Sequence, residues 1–347
     1  MRTRSRLRTS LVIAGLVAAG SFTGVPATAQ TDRPDTGPVM STALASGDAT
    51  TAANSTEASI RSFWTEERMK SAKPADATPD SKASATAVTE AAGAPVTVAP
   101  AMPAGTVSSA DASTVNPSAV NTASNWYGSF WSPPATTTGR VFFTHADGTY
   151  RSCSGSAVNS EAKNTVFTAG HCVSDGQGHW HTNWVFVPDY YYGYQPFGMW
   201  VARELGTLGA WFSGSDFRYD IGAAVMYDNG GKLVNTVGGQ GIAWNQPHGL
   251  YVHVFGYPAD PPYDGQQLKY CEGYTYSDPW SGWANLGLDC DMTPGASGGP
   301  WLAYFNGTFG YVNGVNSYKY SWLPGSIYSP YFGSLAGSLY NLVRYRY

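Results

Sequence analysis

The chain has 347 residues, 43% hydrophobic and 14% aromatic, and only 13% charged against a usual share of about 25%. Its 40 glycines and 22 prolines exclude a long helical bundle or coiled coil. A net charge of −4 offers no basic face for nucleic acid. In chain order, Arg2, Arg4, Arg6 and Arg8 precede an apolar run from Leu11 to Gly20 and a small-residue site at Ala27-Thr28-Ala29. This pattern predicts a secretory signal peptide over 1–29, so a secreted, extracellular protein is expected. The apolar run falls short of the about 20 residues that cross a bilayer, and no later segment is long enough, so no membrane partner is expected.

Residues 30–120 are rich in Ala, Thr, Ser, Pro and Asp. They read as a pro-segment or disordered linker, with 71–124 as flexible chain and one short helix over Trp64 to Lys70. The texture changes at Trp126: eleven of the twelve tryptophans lie from there onward, with every cysteine and histidine. A folded domain is therefore placed at 121–347.

That domain reads as mostly β. Val141 to Thr144, then Asp147-Gly148 and Tyr150, is a hairpin signal. Thr165 to Thr168, Ile221 to Tyr227 and Tyr251 to Phe255 are further strands. Ile221 to Tyr227 is apolar enough to be buried on both faces. Short strands with frequent turn signals suggest a sandwich or barrel. Tyr190-Tyr191-Tyr192-Gly193-Tyr194 reads as an aromatic loop packed on the barrel, with a carbohydrate-binding surface as the alternative. One helix is expected at the C-terminus, with Ser329 as cap, Pro330 in its first turn, and Leu335, Leu339, Leu342 and Val343 at helical spacing.

An exported chain keeps disulfides. Cys153, Cys172, Cys271 and Cys290 allow three connectivities, of which 153–172 and 271–290, with equal separations, are expected. Each loop of about 20 residues closed in this way contributes roughly 3 kcal/mol in the chain-entropy picture.

Three segments carry chemistry: Thr168-Ala169-Gly170-His171-Cys172, Asp220-Ile221-Gly222-Ala223-Ala224-Val225, and Cys290 to Pro300 with Gly295-Ala296-Ser297-Gly298-Gly299 inside it. A serine hydroxyl is a weak nucleophile that needs a base, and the base needs an orienting carboxylate. His171, Asp220 and Ser297 supply those roles, and the amides of Gly295 and Ser297 are natural donors to an oxyanion. Asp216 and Asp228 are the nearest substitutes for Asp220. Chain order excludes an α/β-hydrolase triad, because no histidine or acid follows Ser297. His179 and His181 lie two apart, but no neighbouring acid or cysteine completes a metal site.

These segments resemble the histidine and serine signatures of the chymotrypsin-like serine proteases, over roughly 135–347. Gly256-Tyr257-Pro258-Ala259-Asp260 is similar to a turn in the secreted bacterial glutamyl endopeptidase-like branch. The resemblance implies an all-β, chymotrypsin-like double β-barrel with a C-terminal α-helix, and a serine endopeptidase acting on proteins or peptides through an acyl-enzyme. It implies no cofactor or metal, and a monomer is expected. A non-catalytic binding protein on this fold, or an esterase, are the alternatives. By the resemblance, the candidate substrate-pocket residues are Asp291, Asn316 and Ser317. Asp291 has the offset of an acid that binds Arg or Lys in trypsin-like relatives. Asn316 stands where glutamyl endopeptidases carry histidine. Lys319, nearby, favours an acidic or relaxed preference. Ala296 before the nucleophile has no charge, so a trypsin-type activation by a new N-terminal amine is not expected.

Overall fold

The computed structural model describes residues 36–41, 53–75, 78–79, 93–105, 120–282 and 284–347. The signal-peptide span 1–29 lies outside them.

The β-branched and aromatic runs of the first half form a closed ring of six strands. Thr138–Thr144 pairs with Tyr150–Val158, which pairs with Thr165–Thr168, then Gly222–Met226, then Trp200–Leu208, and Thr182–Pro188 closes the ring back onto Thr138–Thr144. The Asp147-Gly148 turn joins the first two strands: Gly148 has φ +84° and Asp147 Oδ1 accepts the Thr149 N–H. Phe142, Phe143, Phe167, Trp184, Phe186 and Trp200 are each fully buried in the main core. Burying a side chain of that kind stabilises by about 1.5–3 kcal/mol.

The second half is a seven-stranded sheet beside a three-stranded one formed by Tyr276–Ser277, Leu286–Asp289 and Ser326–Ser329. Tyr251–Gly256, Pro300–Ala303 and Tyr311–Val315 lie at the middle of the larger sheet. The disulfides join Cys153 to Cys172 and Cys271 to Cys290, the expected connectivity. The C-terminal helix is Ser334–Val343, with Gly333 as its cap. Ser329 is therefore not the cap. It ends a strand, where its hydroxyl accepts the Val315 N–H and donates to the Pro330 carbonyl. That strand pairing outweighs the local Ser-Pro signal.

Several described segments before 121 pair with strands of the domain. Pro38–Met40 pairs with Trp200–Leu208, Lys73–Pro74 with Tyr150–Val158, Val96–Val98 with Gly241–Trp244, and Val120–Asn125 with Lys269–Tyr274. The helices are Ala53–Phe63 and Glu66–Ser71, with Trp64 between them rather than opening one helix. Ile60, Trp64 and Met69 are buried in the main core. The physical reason is edge pairing: open N–H and C=O groups at a sheet edge bind almost any extended chain, so these short strands carry little side-chain pattern of their own.

Candidate active site

The strand Thr165–Thr168 runs into a tight turn, Gly170–Cys172, that carries His171. A Cβ on Gly170 would lie 2.9 Å from Asp220 Oδ1, so glycine permits this approach. Asp220 is fully buried just before the strand Gly222–Met226. Its Oδ1 accepts the His171 backbone N–H at 2.6 Å. Its Oδ2 lies 2.8 Å from His171 Nδ1 and accepts the Ser317 hydroxyl at 2.5 Å. With Nδ1 donating to this carboxylate, Nε2 carries the lone pair. Asp216 instead pairs with Arg218, and Asp228 with Lys232 and Asn164, so neither substitute reaches His171. His181 donates from Nε2 to the His171 carbonyl at 3.1 Å; burial takes it down to about 3, which keeps that ring neutral. His179 is bonded to Asp175 instead.

Ser297 sits in a loop pinned from both halves. Its carbonyl accepts the Ser154 N–H at 2.7 Å, while Ser154 Oγ donates to the Gly295 carbonyl and accepts from the Tyr257 N–H. Gly295 has φ +96°, and a Cβ there would stand 2.8 Å from Ala259 Cβ and 2.9 Å from the Tyr257 carbonyl. Only glycine is comfortable in that left-handed, crowded position. Among the described residues, neither the Gly295 nor the Ser297 N–H donates to a protein acceptor. Ser154, on the strand Tyr150–Val158, was not singled out by sequence, because a serine inside a strand carries no signal of the loop it meets across the molecule.

The chain before the domain reaches this site. Lys73–Pro74 adds a parallel strand beside Arg151 and Ser152. Ala75 continues it, donating its N–H to the Ser152 carbonyl at 2.9 Å. The Ala75 carbonyl lies 3.5 Å from Ser297 Oγ. His171 Nε2, also buried, has no hydrogen-bond partner among the described residues. The strap is anchored upstream by Trp64, whose indole packs on Phe63, Phe142 and Tyr150 and donates to the Asn183 carbonyl.

Of the three pocket candidates, Asn316 and Ser317 line a pocket beside Ser297 and Asp291 does not. That pocket is also lined by Met292, Thr293, Pro294 and Lys319, among others. Asp291 Oδ1 instead accepts the Ala123 N–H and the Tyr263 hydroxyl, both at 2.7 Å, tying the strand Val120–Asn125 to the segment before the nucleophile. Asn316 is saturated: Oδ1 accepts the Trp301 indole N–H, and Nδ2 donates to the Phe255 and Ala296 carbonyls. Ser317 spends its hydroxyl on Asp220. Lys319 Nζ donates to the Met292 carbonyl at the pocket wall. Asp291→Asn is accordingly expected to leave the cleavage-site preference unchanged while lowering stability by about 1–3 kcal/mol. Cleavage mapping beside a thermal melt checks this, and a shift in preference with no loss of stability would reverse the assignment.

This arrangement, on a six-stranded β-barrel followed by a second β half and a terminal helix, defines a class: the chain belongs to the chymotrypsin-like serine proteases. The protease Anisep from Arthrobacter nicotinovorans is 41% identical over 61% of this chain and 96% of its own, with a TM-score of 0.59. The thermostable serine protease AL20 from an extremophilic microorganism is 41% identical over 61% of this chain and 99% of its own, with a TM-score of 0.58. A Glu endopeptidase shares the fold at 18% identity and a TM-score of 0.52, covering 64% of this chain and 96% of its own. An extracellular metalloprotease of Bacillus subtilis (strain 168) is 27% identical over 139 residues, 39% of this chain and 43% of that protein, so the match spans less than half of its length. No protein-family model matches. The metal in that relative's name has no counterpart here among the described residues: one group of three possible ligands occurs, Cys153, His171 and Cys172, and its two sulfurs are bonded to each other. A disulfide sulfur is not the thiolate that a metal takes.

Proposed function

We propose that the chain is the precursor of a secreted serine endopeptidase. Ser297 Oγ attacks the scissile carbonyl. His171 Nε2 takes the hydroxyl proton and passes it to the leaving amine, and water then hydrolyses the acyl-enzyme by the same route. Asp220 holds the imidazole in the required tautomer and stabilises its cation. The Gly295 and Ser297 amides receive the oxyanion. The observation that carries this reading is Asp220, buried with both oxygens committed to His171 and Ser317; it is supported by the Ser297 loop, where the Gly295 and Ser297 amides have no protein acceptor among the described residues. The two disulfides fit an oxidising, extracellular setting. The strap at Ala75 fits a zymogen, because it occupies the space a substrate needs over Ser297.

Lys319 at the pocket wall, with no acid lining that pocket, supports a preference for acidic side chains before the cut. The test is the processed enzyme treated with phenylmethylsulfonyl fluoride and then given a peptide library. A sulfonyl adduct on Ser297 and cuts after acidic residues are expected. An unlabelled Ser297 would remove the nucleophile assignment, and cuts confined to Arg and Lys would remove the acidic preference alone.

A further inference from the structure

The tyrosine run after Thr182–Pro188 is only partly packed on the barrel: Tyr190 is buried, but Tyr191, Tyr192 and Tyr194 are exposed. Tyr191, Tyr194, Pro196, Phe130 and Trp131 enclose a pocket of about 170 Å³ together with Asp189. It shares no lining residue with the pocket beside Ser297. The volume is near that of cavities that take a benzene-sized guest, ~150 Å³.

Asp189 is the unexplained member. It is 3% exposed and its backbone N–H is spent on the Thr138 carbonyl, yet among the described residues no donor reaches its carboxylate. Burial alone raises it to about 7. The buried cation of the neighbouring strand, Arg140, lies over Phe142 and Tyr190 and donates to Ser152. A buried carboxylate without a counter-charge is costly unless something supplies one.

We propose that this aromatic pocket binds an organic ammonium group, with Trp131, Tyr191 and Tyr194 offering ring faces and Asp189 the opposite charge. Aromatic faces attract cations, most strongly when water is excluded. A sugar ring would also stack on Trp131 and Tyr194, but its hydroxyls bring no charge to Asp189. The ammonium has two sources, a free quaternary amine or the lysine side chain of a protein substrate, and in the second case the pocket is a docking site outside the catalytic cleft.

The test is calorimetric titration of the full chain with tetramethylammonium, with a lysine-containing peptide and with N-acetylglucosamine. Saturable binding of a cation is expected, and which of the two binds tighter identifies the source. Asp189→Asn should abolish it; asparagine tolerates the φ of +53° that Asp189 adopts. Trp131→Ala, at an exposed side chain, should weaken it by about tenfold. Neither change should alter the sulfonyl labelling of Ser297. Absence of saturable cation binding, equal binding by Asp189→Asn, or binding of N-acetylglucosamine alone would overturn the proposal. If Asp189→Asn does not fold, unchanged binding by Trp131→Ala overturns it instead.

Discussion

Ser297→Ala is expected to lower kcat of the processed enzyme by about 10⁶-fold, since members of a triad act as a unit. The reasoning is local. In the proposed mechanism His171 Nε2 is a base only in relation to a proton it can take, and Asp220 presents that base through Nδ1. With Oγ gone, His171 and Asp220 are left without an acyl acceptor. The Gly295 and Ser297 amides remain, so a residual acceleration of about 10³–10⁴ over water is expected from the oxyanion donors and substrate binding. Steady-state hydrolysis of a peptide amide by purified variant and parent checks this. Amidase activity within about tenfold of the parent would show that another group is the nucleophile.

The second large effect concerns the strap. Trp64 is 4% exposed and wedged between Phe142 and Tyr150, so Trp64→Ala removes packing that costs about 3–5 kcal/mol in a closed core. In the open state the indole faces water and its loss costs little. The closed-to-open ratio is therefore expected to fall by about 150- to 4,000-fold. As Ala75 leaves Ser297, the Ser297 hydroxyl that faced the Ala75 carbonyl becomes free to donate to His171 Nε2. The readout is the rate of sulfonyl labelling of Ser297 in the unprocessed chain, which should rise sharply in Trp64→Ala while the processed enzyme is unaffected. Equal labelling rates for the two full-length chains would show that the contact at Ala75 does not restrain the nucleophile.

Both predictions rest on residues of different legibility. The disulfide pairing could be read from sequence, and so could His171, Asp220, Ser297 and Gly295 as candidates, because each sits in a short contiguous segment with its own local pattern. A histidine at a strand-end turn, an acid just before an apolar strand and a serine among glycines are each one turn of chain. The strands were legible for the same reason, through β-branched runs and the Asp147-Gly148 turn. The terminal helix was legible in its apolar spacing but not in its start, since the register of Ser326–Ser329 with Leu286–Asp289 decides what Ser329 does.

What only the tertiary structure decided is which way side chains face when two distant segments meet. Asp291 has the right offset for a pocket acid, yet Ala123 and Tyr263, from elsewhere in the chain, capture its carboxylate. Asn316 is bonded to Trp301, Phe255 and Ala296, and Ser317 to Asp220, so two residues that line the pocket also hold the site together. The strap was hidden for a related reason. Its hold on Ser152 is backbone pairing, which any residue type can make, and its anchor is a few apolar side chains, Ile60, Trp64 and Met69, set among small and polar residues. Sequence by itself nominated the residues for the proposed chemistry, because such candidates are written in local motifs. Only the fold decided what covers that chemistry and what lines its pocket, because those depend on contacts between separate segments, from 15 positions apart for Asn316 and Trp301 to 222 for Ala75 and Ser297.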